Sequence, residues 1–143
     1  MEAFPHLYEV QIKMKDGVNL SSTDQAPELK VGPPPQFGGD GTVWSPEGLL
    51  LSSLAECLRL SFVAIARANG FQFSEYESTI QGTLDRIDRK TSFTQAKIEV
   101  SLSCSDKDKA QKLLEKAEQS CLISNSVNFP LSLTMKIEDE SKP

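Results

Sequence analysis

The chain has 143 residues, of which 38% are hydrophobic and 24% charged, and its formal net charge is −5. This length and composition fit one soluble globular domain that is large enough to form a hydrophobic core. The negative charge argues against a nucleic-acid-binding protein, and the scattered Lys and Arg residues form no patch for an anionic membrane. We therefore predict a single domain over residues 1–143, with no nucleic-acid partner and no membrane partner.

The N-terminal part predicts three short strands and a loop. The segment YEVQIKM alternates and places Tyr8, Val10, Ile12 and Met14 on one face, which is typical of a half-buried strand. KDG is a tight-turn sequence that predicts a hairpin with VNLSS, and PELKVG predicts a third strand. The Pro- and Gly-rich stretch PPPQFGGDGTVWSP predicts an irregular loop, and such loops within compact domains are often functional.

The segment WSPEGLLLSSLAECLRLSFVAIARANG predicts a long apolar helix. Ser45 suits the N-cap, Pro46 suits the first helical position, and Gly70 marks the end. The helix is long enough to cross a membrane, but charged residues and serines interrupt it, so a core helix is the better interpretation. Because apolar side chains surround most of it, we expect burial nearly all round, and one small domain cannot easily cover it. This predicts burial in a homodimer.

The C-terminal half predicts two strands, a helix and a last strand. The strands STIQGTLDRID and SFTQAKIEVSLSC are joined by the polar turn RIDRKTS, and Cys104 continues the apolar face of the second strand. SDKDKAQKLLEKAEQSC is an amphipathic helix with Ser105 and Asp108 as a capping box, and Cys121 ends it on the inward face. LSLTMKI is the last strand. The order β-β-β-α-β-β-α-β favours an α+β fold with largely antiparallel sheets.

Four residues are candidates for chemistry: the three cysteines Cys57, Cys104 and Cys121, and the only histidine, His6. Their spacing matches neither a CxxC pair nor a zinc site, and we predict no metal and no bound cofactor. Alone, each cysteine is best interpreted as a small buried hydrophobe, and His6 as a surface residue. Trp44 either staples the loop onto the helix or lies at the edge of a pocket.

Two stretches resemble the signature sequences of the OsmC/Ohr family of thiol-dependent hydroperoxidases. GGDGTVWSPEGLLLSSLAEC has a Gly-rich loop, a Pro-Glu pair at a helix start and a cysteine ten residues after the glutamate, here Glu47 and Cys57. CLISNS has a cysteine after a second helix, followed by a Ser-Asn pair, here Cys121, Ser124 and Asn125. Two separated motifs in the correct order, within a similar order of elements, make a chance match improbable.

The resemblance implies an OsmC-like fold and an intertwined homodimer with active sites at the subunit interface. It implies that Cys57 attacks a peroxide, and that Cys121 resolves the product to a disulfide that an external thiol or dithiol reduces. In this family an arginine near the turn after the first strand, partnered by the Pro-Glu glutamate, supplies a cation. This chain has Lys15 there, which provides charge without the planar fork that binds a carboxylate bidentately. It also has Leu122 where family members often carry proline.

The physical chemistry of the thiols favours the same order of attack. The negative end of the helix dipole is expected to raise the pKa of Cys121, which makes it a poor first nucleophile because the thiolate is the reactive form. Apolar surroundings are expected to raise the pKa of Cys57 as well, so that Cys57 needs a nearby cation. An apolar mouth that favours organic hydroperoxides over hydrogen peroxide is predicted from Phe37, Leu50, Leu51 and Leu54.

The predicted function is that of a cysteine-dependent peroxidase that reduces organic hydroperoxides to alcohols. We expect it in the cytoplasm, because MEAFPHLYEV lacks the basic and apolar regions of a signal peptide. The competing hypothesis is a non-enzymatic dimer of the same fold, stress-associated or ligand-binding, with inert thiols. The lysine at the arginine position keeps this second hypothesis open.

Overall fold

The computed structural model describes residues 1–140 and contains two compact units, one spanning Met1–Leu50 and a second that begins at Leu51. The elements follow the predicted order β-β-β-α-β-β-α-β. Their bounds are β1 Gln11–Lys15, β2 Val18–Ser22, β3 Leu29–Lys30, α1 Pro46–Ala68, β4 Phe73–Ile87, β5 Lys90–Cys104, α2 Lys107–Gln119 and β6 Leu131–Asp139. Only β5 and β6 pair in parallel among the named strands of residues 1–140, so the largely antiparallel α+β fold is confirmed.

The first unit holds a three-stranded antiparallel sheet in the order β1-β2-β3. Asp16 and Gly17 connect β1 to β2 with φ angles of 52° and 78°. A two-residue hairpin turn needs the left-handed region at both central positions, which Gly adopts freely and Asp more readily than most residues. The hairpin predicted at KDG is therefore confirmed.

The apolar face of β1 has no cover within the single chain. Ile12 is 69% exposed and Met14 is 81% exposed, and Tyr8 and Val10, which precede the strand on the same face, are exposed as well. The prediction of a half-buried strand is therefore wrong for one chain on its own. The alternation identified the apolar face correctly, but alternation carries no information about which surface covers that face.

The helix α1 begins where the sequence predicts, because the Ser45 Oγ accepts a hydrogen bond from the Gly48 backbone N–H at 3.0 Å. By length and composition α1 could cross a membrane, a test that core helices also pass, and 22% of its most apolar window is buried. The expectation of burial nearly all round is wrong for the single chain. One stripe of α1 is buried, formed by Leu54, Leu58, Phe62 and Ala66.

The second unit has its core on one side of the sheet β4-β5-β6. The central strand β5 pairs antiparallel with β4 and parallel with β6. Its alternate residues are buried as predicted, and Cys104 is one of them. Four of them form one cluster with Leu58, Phe62 and Ala66 of α1 and with the inward residues of α2. The four are Ile98, Val100, Leu102 and Cys104, and the residues of α2 are Ala110, Leu113, Leu114 and Ala117.

Two boundaries of the β4–β5 hairpin differ from the predictions. β4 begins at Phe73 instead of Ser78, because a bulge with Glu75 at φ 53° interrupts the alternation that marks a strand. At the other end, Asp88 and Arg89 form a two-residue turn in place of the longer predicted turn. Charged residues near the tip resembled a loop because both strands are exposed there.

The N-cap of α2 is Asp106 and not Ser105. The Asp106 Oδ1 accepts a hydrogen bond from the Lys109 backbone N–H at 3.1 Å. The predicted capping box of Ser105 and Asp108 is therefore wrong by one position. Because Ser and Asp are about equally good caps, their adjacency left the sequence ambiguous.

An aromatic cluster joins α1 to the start of β4. The Phe62 ring centroid lies 4.9 Å from that of Phe73 and 5.7 Å from that of Tyr76. The Tyr76 hydroxyl is buried and has no hydrogen-bond partner within residues 1–140. Burial is the main cause that raises the pKa of Tyr76 to about 12, with Arg59 lowering it and Glu56 raising it further.

Replacing Tyr76 with Phe is expected to reduce the loss of stability at alkaline pH. The folded state favours the neutral phenol, so that the folded pKa of about 12 lies above the ordinary value of 10.0. As the pH rises from 10 towards 12, the unfolded chain loses its proton first, and the free energy of unfolding falls. Urea titrations across this range measure the slope. The exposed Tyr8→Phe variant is the control, and a Tyr76→Phe slope equal to wild type would contradict the argument.

Candidate active site

Cys57 and Cys121 lie side by side in the second unit, with a hydrogen bond between their side chains. Cys57 is near the middle of α1, and Cys121 follows the end of α2. Both are free thiols, and they differ in access because Cys121 is 1% exposed while Cys57 is partly exposed. The structure thus brings together the two cysteines of the two sequence motifs.

The loop after α2 directs three consecutive backbone N–H groups at the two sulfurs. The N–H groups of Leu122 and Ile123 hydrogen-bond with Cys57, and those of Ile123 and Ser124 with Cys121. The Ser124 hydroxyl donates to the Cys121 carbonyl at 2.9 Å and also lowers the pKa of the Cys121 thiol. Successive N–H groups that converge in this way stabilise negative charge, so the loop can hold a thiolate.

The pKa values of the two thiols shift in opposite directions. Burial is the largest effect on Cys57 and raises its pKa, and the hydrogen bond with Cys121 raises it further, against the N–H groups of the loop. Burial is also the largest single effect on Cys121, but the Ser124 N–H and hydroxyl, the Cys57 thiol and the Ile123 N–H together lower its pKa.

The expectation that the helix dipole raises the pKa of Cys121 is wrong. Helix α2 ends at Gln119, so Cys121 lies beyond the last turn, where the effect of the dipole fades. Hydrogen bonds from the loop then decide the direction. The expected rise in the pKa of Cys57 is confirmed, and burial is its main cause, as predicted.

Glu47 and Lys15 do not pair within the single chain. Glu47 occupies the first turn of α1, and its Oε1 is buried without a hydrogen-bond partner in the described part of the chain. Lys15 ends β1, is exposed, and takes part in neither of the two ion pairs found in residues 1–140. A buried carboxyl oxygen without a hydrogen-bond donor is unfavourable, so this atom of Glu47 is unusual within the described part of the single chain.

Some residues of the predicted apolar mouth can be placed within their own units. Phe37 lines a cavity of about 380 Å³ in the first unit, which Leu50 of the same unit does not line. Leu54 is fully buried, so the prediction that it contacts a substrate is wrong for the single chain. The lining residues are Val31, Gly32, Pro33, Pro34, Phe37, Pro46 and Glu47.

The remaining candidates have contacts of their own. His6 hydrogen-bonds with the Glu2 carbonyl at 2.7 Å and stacks on Phe4. Trp44 forms a backbone bridge with Val31 and lines a second cavity of the first unit, which places it at a pocket edge. Among residues 1–140, no group of three or more His, Cys, Asp or Glu residues is arranged to hold a metal ion.

The model of the OsmC-like protein family matches residues 39–136, a range that contains both cysteine motifs. The chain therefore belongs to the OsmC family. No curated protein sequence matches it.

Solved structures from this family share the fold. An OsmC-like protein of Vibrio cholerae has a TM-score of 0.80 and 17% identity, over 93% of this chain and 99% of that one. An organic hydroperoxide resistance protein of Elizabethkingia anophelis has a TM-score of 0.74 and 18% identity, over 96% and 100% of the chains. The organic hydroperoxide resistance protein OhrB of Bacillus subtilis has a TM-score of 0.65 and 19% identity, over 92% and 98%. At these identities the likeness concerns the fold alone.

Sequence reasoning missed the contribution of the loop. The sequence motif contains Ser124 but predicts no function for it, and Leu122 stands out only as a difference from the proline that family members often carry. These residues affect the two thiols mainly through backbone N–H groups. The direction of an N–H group depends on the conformation of the loop, which the residue types do not reveal. The Ser residue three positions after Cys121 was the one available signal.

Proposed function

We propose that the protein is a thiol-dependent peroxidase that reduces organic hydroperoxides to alcohols. The observation that carries the proposal is the direct contact between the side chains of Cys57 and Cys121 within one chain. Thiols that already share a hydrogen bond need little movement to reach the distance of a disulfide, about 2 Å. Membership of the OsmC family supports this, because proteins of similar structure are described as organic hydroperoxide resistance proteins.

Access determines which sulfur meets the peroxide. Cys57 is partly exposed and Cys121 is buried, so Cys57 is the proposed attacking residue although its pKa is the higher of the two. Its sulfur attacks the O–O bond, releases the alcohol and becomes a sulfenic acid. Cys121 condenses with this group to a disulfide and water, and an external thiol or dithiol restores both thiols by exchange. The proposed reaction uses no metal and no bound cofactor.

A homodimer completes the proposal. The exposed apolar face of Ile12 and Met14 needs a cover, and Leu60, 58% exposed on α1, is a further uncovered apolar residue. A second copy of the chain is the proposed cover, and it also supplies a donor for Glu47, for which Lys15 is the proposed group. Phe37 stays the predicted contact for the organic part of the substrate, and the cytoplasm stays the predicted location.

The competing hypothesis is a non-enzymatic OsmC-fold dimer that is stress-associated or binds a small ligand. The raised pKa of Cys57 and the absence of an ion pair at Lys15 within residues 1–140 favour it. A thiol that stays protonated and has no cation nearby reacts slowly. Activity measurements on cysteine variants separate the two hypotheses.

Replacing Cys57 with Ser is expected to abolish the consumption of tert-butyl hydroperoxide in the presence of a dithiol. Cys121→Ser is expected to keep the first oxidation of Cys57 but to block the disulfide. Cys104→Ser is the matched control, because Cys104 lies in the core and should retain wild-type turnover once folded. Thiol counting after one equivalent of peroxide is expected to show the loss of two thiols in wild type. Equal rates for wild type and Cys57→Ser would eliminate the peroxidase proposal.

Replacing Lys15 with Met is expected to lower kcat/KM for the hydroperoxide about tenfold, the effect of raising the pKa of the nucleophile by one unit. Lys15→Arg is expected to restore or exceed the wild-type value, because the guanidinium binds a carboxylate bidentately. Lys13→Met is the control, since Lys13 has the same charge and lies on the same strand. Equal losses in Lys13→Met and Lys15→Met would show a general effect of charge and no specific contribution of Lys15.

Replacing Ile12 with Asp is expected to convert the dimer into a monomer. The charge would be buried without a partner in the proposed interface, which costs several kcal/mol. Light scattering after gel filtration measures the mass. Lys13→Asp is the matched control because its side chain points to the opposite face of β1 and should leave the dimer intact. A wild-type protein that is monomeric at micromolar concentration would refute the proposed dimer.

A further inference from the structure

The outer face of the sheet β4-β5-β6 contains a cavity of about 560 Å³. Alternate residues of β5 pack into the core with α1 and α2, so Ser101 and Ser103, which lie between them, face the opposite side of the sheet. Both serines are short, and they form the floor of the cavity between longer charged side chains. These charged residues are Glu75 and Glu77 of β4, Lys107 of α2, and Lys136 and Glu138 of β6. The cavity therefore lies across the sheet from α1, which holds Cys57.

The bulge in β4 turns an additional carboxylate towards this cavity. Two residues of β4, Glu75 and Tyr76, lie opposite the single residue Leu102 of β5. Tyr76 packs inward against Phe62, whereas Glu75, with its φ of 53°, lines the cavity beside Glu77. Bulges commonly re-aim a side chain in this way. One wall of the cavity thus carries two neighbouring carboxylates.

The floor of the cavity contains a buried hydroxyl that has no protein partner. Ser103 is 7% exposed, and its hydroxyl forms no hydrogen bond with any other group of residues 1–140. The hydroxyl of Ser74, which lies opposite Ser103 on β4, differs because it donates to the Glu140 carboxylate at 2.6 Å. Buried polar groups in native proteins are nearly always hydrogen-bonded. The Ser103 hydroxyl is therefore available to a molecule that enters the cavity.

The carboxylates of the cavity outnumber its free cations. None of its three glutamates takes part in the two ion pairs found in residues 1–140. Lys136 is already bound to Glu99, with 2.9 Å between its Nζ and the Glu99 Oε1. Among the lining residues that the structure describes, this leaves Lys107 as the one cation without an ion pair. An excess of unpaired negative charge in a concave surface attracts cations.

The three carboxylates do not converge on one point. Within the described part of the chain, no group of three or more His, Cys, Asp or Glu residues is arranged to hold a metal ion. Glu75 and Glu77 belong to β4 and Glu138 belongs to β6, and β5 separates these two strands by about 10 Å, twice the spacing of neighbouring strands. A single ion cannot contact both walls at once, whereas an elongated molecule with several positive charges can.

We propose that this cavity binds a linear aliphatic polyamine. The ammonium group at one end pairs with Glu75 and Glu77, and the group at the other end pairs with Glu138. An amine between them donates a hydrogen bond to the Ser103 hydroxyl oxygen on the floor. The site is independent of the thiol pair, so the proposal does not rest on the peroxidase function.

The first experiment is a calorimetric titration of the full-length protein with spermidine at low ionic strength. We expect saturable binding of one molecule per chain, and an affinity that falls as salt is added because salt screens exposed charges. The double variant Glu77→Gln/Glu138→Gln is expected to bind about tenfold more weakly, the effect of losing two exposed ion pairs. Glu28→Gln/Glu115→Gln is the matched control, because it removes the same charge from residues that do not line the cavity.

The second experiment tests the buried hydroxyl. Ser103→Ala is expected to lower the affinity for spermidine about fivefold, the effect of losing one hydrogen bond. The substitution breaks no hydrogen bond within residues 1–140, so the variant is expected to keep the wild-type melting temperature. Ser132→Ala is the matched control, because Ser132 is an exposed residue of β6 that does not line the cavity.

Three results would overturn the proposal. The first is the absence of saturable binding of spermidine, which would leave solvent as the only occupant of the cavity. The second is an equal loss of affinity in the two double variants, which would show attraction by net charge alone. The third is an equal affinity for Mg²⁺ at the same ionic strength, which would contradict an elongated ligand. The titrations contain no peroxide, so their outcome is distinguishable from failure of the peroxidase proposal.

Discussion

The hydrogen bond between the thiols of Cys57 and Cys121 depends on how α1 packs with α2. Cys57 lies between Leu54 and Leu58, both fully or almost fully buried, and Cys121 lies one turn beyond the buried Ala117. Buried side chains on both helices flank the two cysteines, so core packing sets the distance between the two sulfurs. A packed core has little freedom to change this distance. The loop after α2 can direct its N–H groups at the sulfurs only when that packing is complete.

Features that depend on local periodicity could be predicted from the sequence. The alternation from Ala96 to Cys104 is a core strand, the Ser45 cap starts α1, and KDG forms a tight hairpin. Local signals failed where two residues were equivalent, as at Ser105 and Asp106. They also failed where a bulge broke the pattern of β4.

Other predictions were wrong about more than the position of an element boundary. They concern contacts between elements, about which the periodicity of one segment carries no information. An alternating segment shows which face of β1 is apolar, but it does not show whether that face is covered, and Ile12 and Met14 are exposed in the single chain. The helix dipole predicted a raised pKa for Cys121, whereas hydrogen bonds, mostly from residues that follow the helix, lower this pKa against the effect of burial. Both predictions treated one strand or one helix as isolated. The exposure of the β1 face and the pKa of Cys121 depend instead on the residues around that strand and that helix.

The unequal burial of the two sulfurs has a consequence for regeneration of the proposed enzyme. In a disulfide between Cys57 and Cys121, an incoming reductant reaches the partly exposed sulfur of Cys57, while the other sulfur stays enclosed. The mixed disulfide therefore forms at Cys57, and Cys121 departs as the leaving group. Thiols of low pKa leave faster in such exchange, and the donors that lower the pKa of Cys121 also favour its departure. The loop that lowers the pKa of Cys121 thus gives the reduction half of the proposed cycle a fixed direction.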